Sequence, residues 1–201
     1  MPSKRGSNQS LNGNAPDRCK FALLIVDVMN DLDFPGSEEL ILHSASLARN
    51  IDGLARKCRS HGVPVIYVND NRGRWRSDSN SIFRAAVRSG SPGRPMAQRL
   101  RPRQHDYIVL KPKHSPFYAT PLDTILRYLG TRTLIIAGLT TESCVLVAAT
   151  EAHVRDFKLI VPSDCVAGLS ARDHGQALQL MRRNFQAGTS GWKSIDWARL
   201  L

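Results

Sequence analysis

Three residues far apart in the chain, Asp27, Lys111 and Cys144, are polar or nucleophilic types that stand at or just beyond the ends of apolar runs. Of the three the cysteine is the nucleophile candidate, since its thiolate is the reactive form, while a carboxylate or an ammonium in apolar surroundings calls for a partner. Cys144 follows the apolar run 133–137, Gly138 and the pair Thr140-Thr141, either of which could cap a helix, so its thiol falls in that helix's first turn. The positive end of the helix dipole and free backbone N–H groups would there lower the thiol pKa and favour the thiolate. Asp27 comes directly after the apolar run Phe21 to Val26, where an ionised carboxylate needs a partner. Lys111 ends another apolar segment, with Lys113 as its more exposed neighbour. Each also has an ordinary alternative: Cys144 as a buried apolar filler, Asp27 as an acceptor for nearby backbone donors, Lys111 as a solvated strand end.

The elements around these residues give them a common location. Phe21-Ala-Leu-Leu-Ile-Val is a continuous apolar run, the pattern of a strand covered on both faces. Ser37, Glu38 and Glu39 open a helix whose apolar residues recur through Leu54, and Gly62 stands where a C-terminal cap belongs. Further strands are expected over 63–68, 107–110, 133–137 and 158–161. Between them lie a short helix near 82–88, an irregular Gly-, Pro- and Arg-rich connection over 90–103, a helix from Pro121 to Gly130, one from Thr140 or Thr141 to about 156, and one capped by Ser170. Strands alternating with helices predict an α/β fold, a single-domain three-layer α/β/α arrangement on a mainly parallel, Rossmann-like sheet. In such sheets ligands sit beyond the carboxyl ends of the strands, where Asp27, Lys111 and Cys144 all fall.

The 201-residue length suits one domain, expected over 20–201 after a disordered basic tail at 1–19. That tail has no apolar core of a signal peptide, and no apolar run is long enough to span a membrane. Four cysteines without a CxxC pair or a dense framework fit reduced thiols in a cytoplasmic protein. The net charge of +11 is concentrated in two places: residues 1–20 carry four basic residues and one acidic, and residues 71–104 carry nine arginines against Asp78. Without interleaved aromatics or a recognition helix, this distribution argues against a nucleic-acid partner and for a solvated or subunit-facing loop, or one that guides an anionic substrate. The first strand leads into Asp27-Val-Met-Asn rather than a glycine fingerprint, so no dinucleotide cofactor is expected. The six histidines show no shared ligand spacing, and no metal is expected.

Leu23-Leu-Ile-Val-Asp-Val-Met-Asn-Asp resembles the opening motif of isochorismatase-like cysteine hydrolases. Val109-Leu-Lys-Pro-Lys-His-Ser-Pro-Phe, followed by Thr120-Pro-Leu, is similar to their lysine motif. Ile135-Ile-Ala-Gly-Leu-Thr-Thr-Glu-Ser-Cys-Val resembles their nucleophile motif, and Val161-Pro-Ser-Asp-Cys-Val-Ala-Gly a later strand end. The motifs stand in the family's order across roughly residues 20 to 190. The resemblance implies that Asp27 takes the thiol proton, that Lys111 stabilises the charges, and that Cys144 forms an acyl-enzyme which water hydrolyses. It also implies a cis peptide between Leu139 and Thr140, with the backbone N–H groups of Thr140 and Cys144 as an oxyanion hole.

Departures from the family pattern narrow the chemistry. Met29 replaces a usual glutamine, leaving Asn30 as the nearest amide; Asn30, Trp75 and Phe117 are the candidate substrate contacts. Nicotinamidases, one branch, hold a metal with an Asp-x-His motif, where this chain has Asp70-Asn-Arg. Siderophore isochorismatases lack the cysteine and cleave a vinyl ether, so Cys144 favours attack on an amide, ureide or related carbonyl of a small-molecule substrate. Vinyl-ether hydrolysis and a non-catalytic role binding ligands or partners through the arginine-rich loop are the alternatives. Family enzymes enclose their sites at subunit contacts, which implies a homo-oligomer, a dimer or tetramer.

Overall fold

A computed structural model describes residues 18–73 and 76–200. The tail up to residue 17, and Trp75, lie outside the described residues. Cys19 is already tied to the domain, its N–H donating to the Leu129 carbonyl at 2.8 Å.

Six strands form one parallel sheet: β1 (Phe21–Val26), β2 (Val65–Asp70), β3 (Tyr107–Lys111), β4 (Thr133–Leu139), β5 (Lys158–Ile160) and the short β6 (Val166–Ala167). Their spatial order is β3-β2-β1-β4-β5, with β6 pairing the far end of β4. Every residue of β1 and β4 is buried, which is why their sequences read as unbroken apolar runs. Alternate β1 side chains serve opposite faces. Leu24 and Val26 pack with Leu126 of α4 (Leu122–Leu129), Ala148 of α5 (Leu146–Val154) and Met181 of α6 (Ala171–Phe185). Leu23 and Ile25 pack with Leu47, Ile51 and Leu54 of α1 (Glu38–Ser60) and Met96 of α3 (Arg94–Arg99). The α1 core positions recur at the three- and four-residue steps of one helical face.

The chain winds outward from β1 through β2 to β3, then returns to place β4 on the other side of β1. The order therefore reverses between β1 and β4, and their carboxyl ends border the crevice where ligands bind in open α/β sheets. Gly138 lets the two strands close there: paired with Val26, at φ +119°, any Cβ would meet the Val26 carbonyl oxygen at 2.0 Å. The Leu139–Thr140 peptide is cis.

Several boundaries differ from the sequence expectation. The second strand, expected over 63–68, begins at Val65 and runs on to Asp70, because the parallel ladder with β3 continues through Asp70 opposite Lys111. The stretch 90–103, expected to be irregular, contains α3, with Pro95 in its first turn, and the short helix α2 before it spans Ser79–Ala86. The helix expected from Thr140 or Thr141 opens instead as a π-helical turn, Thr141–Val145, that continues into α5, and Thr140 makes no side-chain cap. Ser170 does cap α6, its hydroxyl accepting from the Asp173 N–H. Beyond α6 the chain adds a turn at Trp192–Ser194 and a final helix, α7 (Trp197–Leu200).

Candidate active site

Asp27 is the first residue past β1, in a left-handed backbone conformation at φ +53°, which aspartate tolerates better than most residues. Its N–H still donates to the Val68 carbonyl at 2.9 Å, so the sheet ladder holds the residue in place. One carboxylate oxygen, Oδ1, accepts the Asp70 N–H at 2.7 Å, and the other lies 2.9 Å from Lys111 Nζ.

Lys111 is fully buried, which removes the solvated strand end as an account of it. Besides Asp27, its ammonium faces Asp70 Oδ2 at 3.6 Å and donates to the Lys113 carbonyl at 3.2 Å and Cys144 Sγ at 3.5 Å. Burial alone would pull its pKa down, but the carboxylates of Asp27 and Asp70 oppose that effect and help to hold it above the usual lysine value. The ammonium is thus charged, and it joins two strand ends to the nucleophile candidate. Asp27, Lys111 and Cys144, separated in sequence, meet within hydrogen-bond reach.

The thiol is where the sequence expectation fails. Burial first, and the Asp27 carboxylate second, push the Cys144 pKa up to about 12, and Lys111 offsets only part of this. Desolvation and the nearby anion work against any lowering by the helix terminus. With its pKa raised in this way, Cys144 would need a base in order to act as a nucleophile. Its turn is anchored on both sides: Thr141 Oγ1 meets His174 Nδ1 at 2.9 Å, and Glu142 Oε1 accepts the Leu169 N–H at 3.1 Å. Cys165, at the later strand end, is fully buried, and burial raises its pKa as well.

A cavity of about 410 Å³ opens over these groups, lined among others by Asp27, Asn30, Asp70, His114, Thr140 and Cys144. Asn30 is therefore at the cavity, its side-chain oxygen accepting the Leu32 N–H at 2.8 Å. Thr140 turns its carbonyl into the following turn, where it accepts from the N–H groups of Ser143 and Val145, each at 3.1 Å. Phe117 is not at the cavity: it is buried in the core, with its ring 6.4 Å from that of Phe157 and under the Arg155 guanidinium. The Ser115 hydroxyl explains its direction, accepting from the N–H groups of both Phe117 and Tyr118 and turning the chain inward.

Four further residues line the cavity: Asn69, Asp70 and Arg72 lie in the segment 69–76 that the family resemblance sets near the pocket, without a role given to any of them, and His114 is unanticipated. Asn69 clasps the loop after β1, its amide accepting from Met29 N–H at 3.0 Å and donating to Met29 O at 3.2 Å. Asp70 follows the rule that picked out Asp27 and Lys111, a polar residue at a strand's carboxyl end, and the misplaced end of β2 hid it. Arg72 grips Asp31 with two hydrogen bonds of 3.0 and 2.7 Å. That contact holds the Asp31 carboxyl below its usual range against the opposing effect of burial. His114 Nδ1 lies 3.4 Å from Cys144 Sγ, and no spacing in the sequence set it apart from the other five histidines.

Among the described residues, no three His, Cys, Asp or Glu side chains are grouped to hold a metal ion. Asp70, which occupies the place of a metal ligand in the nicotinamidase branch, instead faces Lys111 and accepts the Arg72 N–H, while the Arg72 guanidinium is committed to Asp31. These residues do not fit that metal.

A parallel α/β sheet carrying an acid, a buried lysine and a thiol at its switch point defines a hydrolase of one recognisable class. The isochorismatase domain model matches residues 21–191, and the chain belongs to the isochorismatase family of hydrolases. An uncharacterized isochorismatase family protein, YaaI, of Bacillus subtilis (strain 168) is 36% identical over 160 residues, covering 80% of this chain and 87% of the relative. The isochorismatase of the same organism is 28% identical over 186 residues, and the match takes in 89% of this chain but 58% of that enzyme. Among solved structures, N-carbamoylsarcosine amidase from Thermoplasma acidophilum superposes with a TM-score of 0.69 at 28% identity, over 88% of this chain and 99% of that one.

Proposed function

We propose that the protein cleaves a C–N bond of a small amide, ureide or related carbonyl compound through an acyl-enzyme on Cys144. The observation that carries this reading is the position of Lys111 Nζ, 2.9 Å from Asp27 and 3.5 Å from Cys144 Sγ. An ammonium between them lets a proton pass from thiol to carboxylate without leaving two bare anions in a buried place. Asp27 takes the proton, Cys144 attacks the carbonyl carbon, and the developing oxyanion is received by the backbone N–H groups of Thr140 and Cys144. Collapse expels the amine, and water then attacks the thioester. Similarity to an amidase along nearly its whole length supports a nitrogen leaving group.

Asn30 offers its amide N–H₂ to the substrate, since its oxygen is engaged internally. Four cysteines, none in a disulfide, support a reducing, cytoplasmic setting. Exposed Leu42, Tyr118, Tyr128 and Val154 are apolar surface that a homo-oligomer, expected from the family resemblance, could cover.

The test is a panel of amides, ureides and isochorismate, incubated with the protein and with Cys144→Ala. Amide or ureide turnover that disappears in the variant is the expected outcome. Isochorismate cleavage that survives it would favour vinyl-ether hydrolysis, and no turnover of any compound would favour a binding role.

A further inference from the structure

The cavity over Cys144 carries a charge of the opposite sign to that of the whole chain. The net charge of the sequence is +11, yet three of the residues lining the cavity are acids, Asp27, Asp70 and Glu142, against the single guanidinium of Arg72. Behind this lining, Lys111 pairs with Asp27, and Asp31 pairs with Arg72. Among the described residues that line the cavity or pair with its lining, four carboxylates therefore face two such cations, and with His114 counted as a third cation the balance is still negative.

Neither Lys111 nor Arg72 is left to meet an incoming anion. Lys111 is fully buried and faces Asp27 at 2.9 Å and Asp70 at 3.6 Å. Arg72 gives both terminal nitrogens to Asp31, one to each carboxylate oxygen, so a substrate carboxylate would compete with one already in place. Glu142 adds to the imbalance: its Oε1 accepts the Leu169 N–H, and its Oε2 is buried without a hydrogen-bond partner. Arg88 and Arg99 of the arginine-rich stretch are likewise engaged, by Asp33 and Asp52. The field inside a cleft follows the charges of its walls rather than the net charge of the protein.

Much of the remaining wall is apolar. Met29, Leu40 and Leu139 are buried where they line the cavity, and Phe34 and Leu169 line it while still exposed. An apolar group on the substrate would cover those two side chains, whereas a carboxylate would lose water there and gain no counter-ion.

We propose that the substrate of this site is an uncharged amide or ureide bearing an apolar group, and that amides carrying a carboxylate are excluded; the inference rests on Cys144 as the nucleophile described above. The guidance of an anion that the arginine-rich sequence suggests stops short of the cavity, because the cation that reaches it is already paired with Asp31.

Three alkylating probes of one mechanism test both halves. Iodoacetamide and iodoacetate are nearly isosteric and differ by one charge, and iodoacetanilide adds a phenyl group to the neutral reagent; in each case the thiol loses its proton and the sulfur displaces iodide. Rate ratios between reagents at one pH and ionic strength cancel the acidity of the thiol itself, and peptide mass mapping follows Cys144 apart from Cys19, Cys58 and Cys165. With 2-mercaptoethanol as the reference, the iodoacetamide-to-iodoacetate ratio at Cys144 should exceed that of the free thiol by at least about 10-fold. The iodoacetanilide-to-iodoacetamide ratio should exceed its own reference by about 3-fold. Asp31→Asn, which releases Arg72, should lower the first ratio by about 3-fold or more, and Arg72→Ala should raise it. Unfolding would move both variants toward the free thiol, so shifts in opposite directions report charge. A wild-type ratio equal to that of the free thiol would overturn the exclusion of anions, and no gain from the phenyl group would overturn the apolar half. Cys144 left unmodified by all three reagents would instead remove the nucleophile, and with it both the acyl-enzyme and this inference.

Discussion

Lys111 and Arg72 are two cations of one cavity, each paired with an aspartate, yet their surroundings are opposite. Lys111 ends a strand, has no exposed surface, and holds Asp27, itself only 8% exposed, at 2.9 Å. Arg72 stands in a loop, with 41% of its side chain exposed, and holds Asp31 by two good hydrogen bonds. The more regular bonding geometry belongs to the more exposed pair. Desolvation rather than bond count sets what a broken pair costs, because water can take over for a lost partner at the rim and cannot at the floor.

The sharpest way to break this comparison is Lys111→Met. It strands the Asp27 carboxylate in a buried place, so stability should fall by about 3–5 kcal/mol in urea unfolding, and turnover should fall by at least about 10²-fold. Adding Asp27→Asn should recover much of the stability and none of the turnover. Lys111→Met with full stability would mean that water reaches the floor.

A smaller effect is expected from the thiol. The Cys144 pKa stands at about 12 in the folded protein, against about 8.5 for an unfolded cysteine. Between those values the unfolded chain binds fewer protons than the folded one, so stability falls as pH rises, by about 1.4 kcal/mol per pH unit for this group. Cys144→Ser should reduce the alkaline slope, measured by urea unfolding at pH 9 and pH 10, by about that amount. An unchanged slope would show that the sulfur titrates as an exposed thiol.

At the rim, Arg72→Ala should cost at most about 1 kcal/mol near pH 7, after allowance for solvent screening of an exposed partner. The Asp31 pKa is depressed in the folded state, so this contribution is present above its unfolded value near 3.9 and disappears as pH falls through the folded one. Melting curves of variant and wild type should therefore converge in acid; a gap that persists at low pH would assign the loss to packing. The smallest effect should come from Lys113→Met, whose side chain is exposed while only its backbone carbonyl meets Lys111. Turnover should be unchanged and stability altered by less than about 0.5 kcal/mol.

The same division decides what the sequence could reveal. Asp27, Lys111 and Cys144 were legible because strands covered on both faces are written as apolar runs, and a polar residue at the end of such a run marks the sheet's carboxyl edge. Asp70 was hidden by a polar strand end, since Asn69 and Asp70 continue the ladder while reading like a loop. Phe117 was misplaced because a hydroxyl-capped turn, not the hydrophobic pattern, decides which way it points. His114 depends on tertiary contacts at both ends of its loop, and the thiol pKa on burial; neither is a property of local sequence. The arginine-rich stretch was legible as charge, but its partners were not: Arg72, Arg88 and Arg99 meet Asp31, Asp33 and Asp52 from the first crossover.

Thr141–Val145 forms a π-helical turn that runs without a break into α5. Each residue of an α-helix turns the chain by about 100°, and a single π turn accommodates one residue more than the regular winding would. The surplus residue sets the bearing of everything on its N-terminal side relative to the helix behind it. A deletion of one residue between Thr141 and Ser143 would let the helix wind regularly while leaving Asp27, Lys111 and Cys144 all present in the chain, yet it would swing the preceding segment by about a quarter-turn. Cys144 is thus aimed by arithmetic: the number of residues between the end of β4 and the start of α5 sets where its thiol points, a quantity that substitution scans leave untouched and that insertions and deletions alone can read.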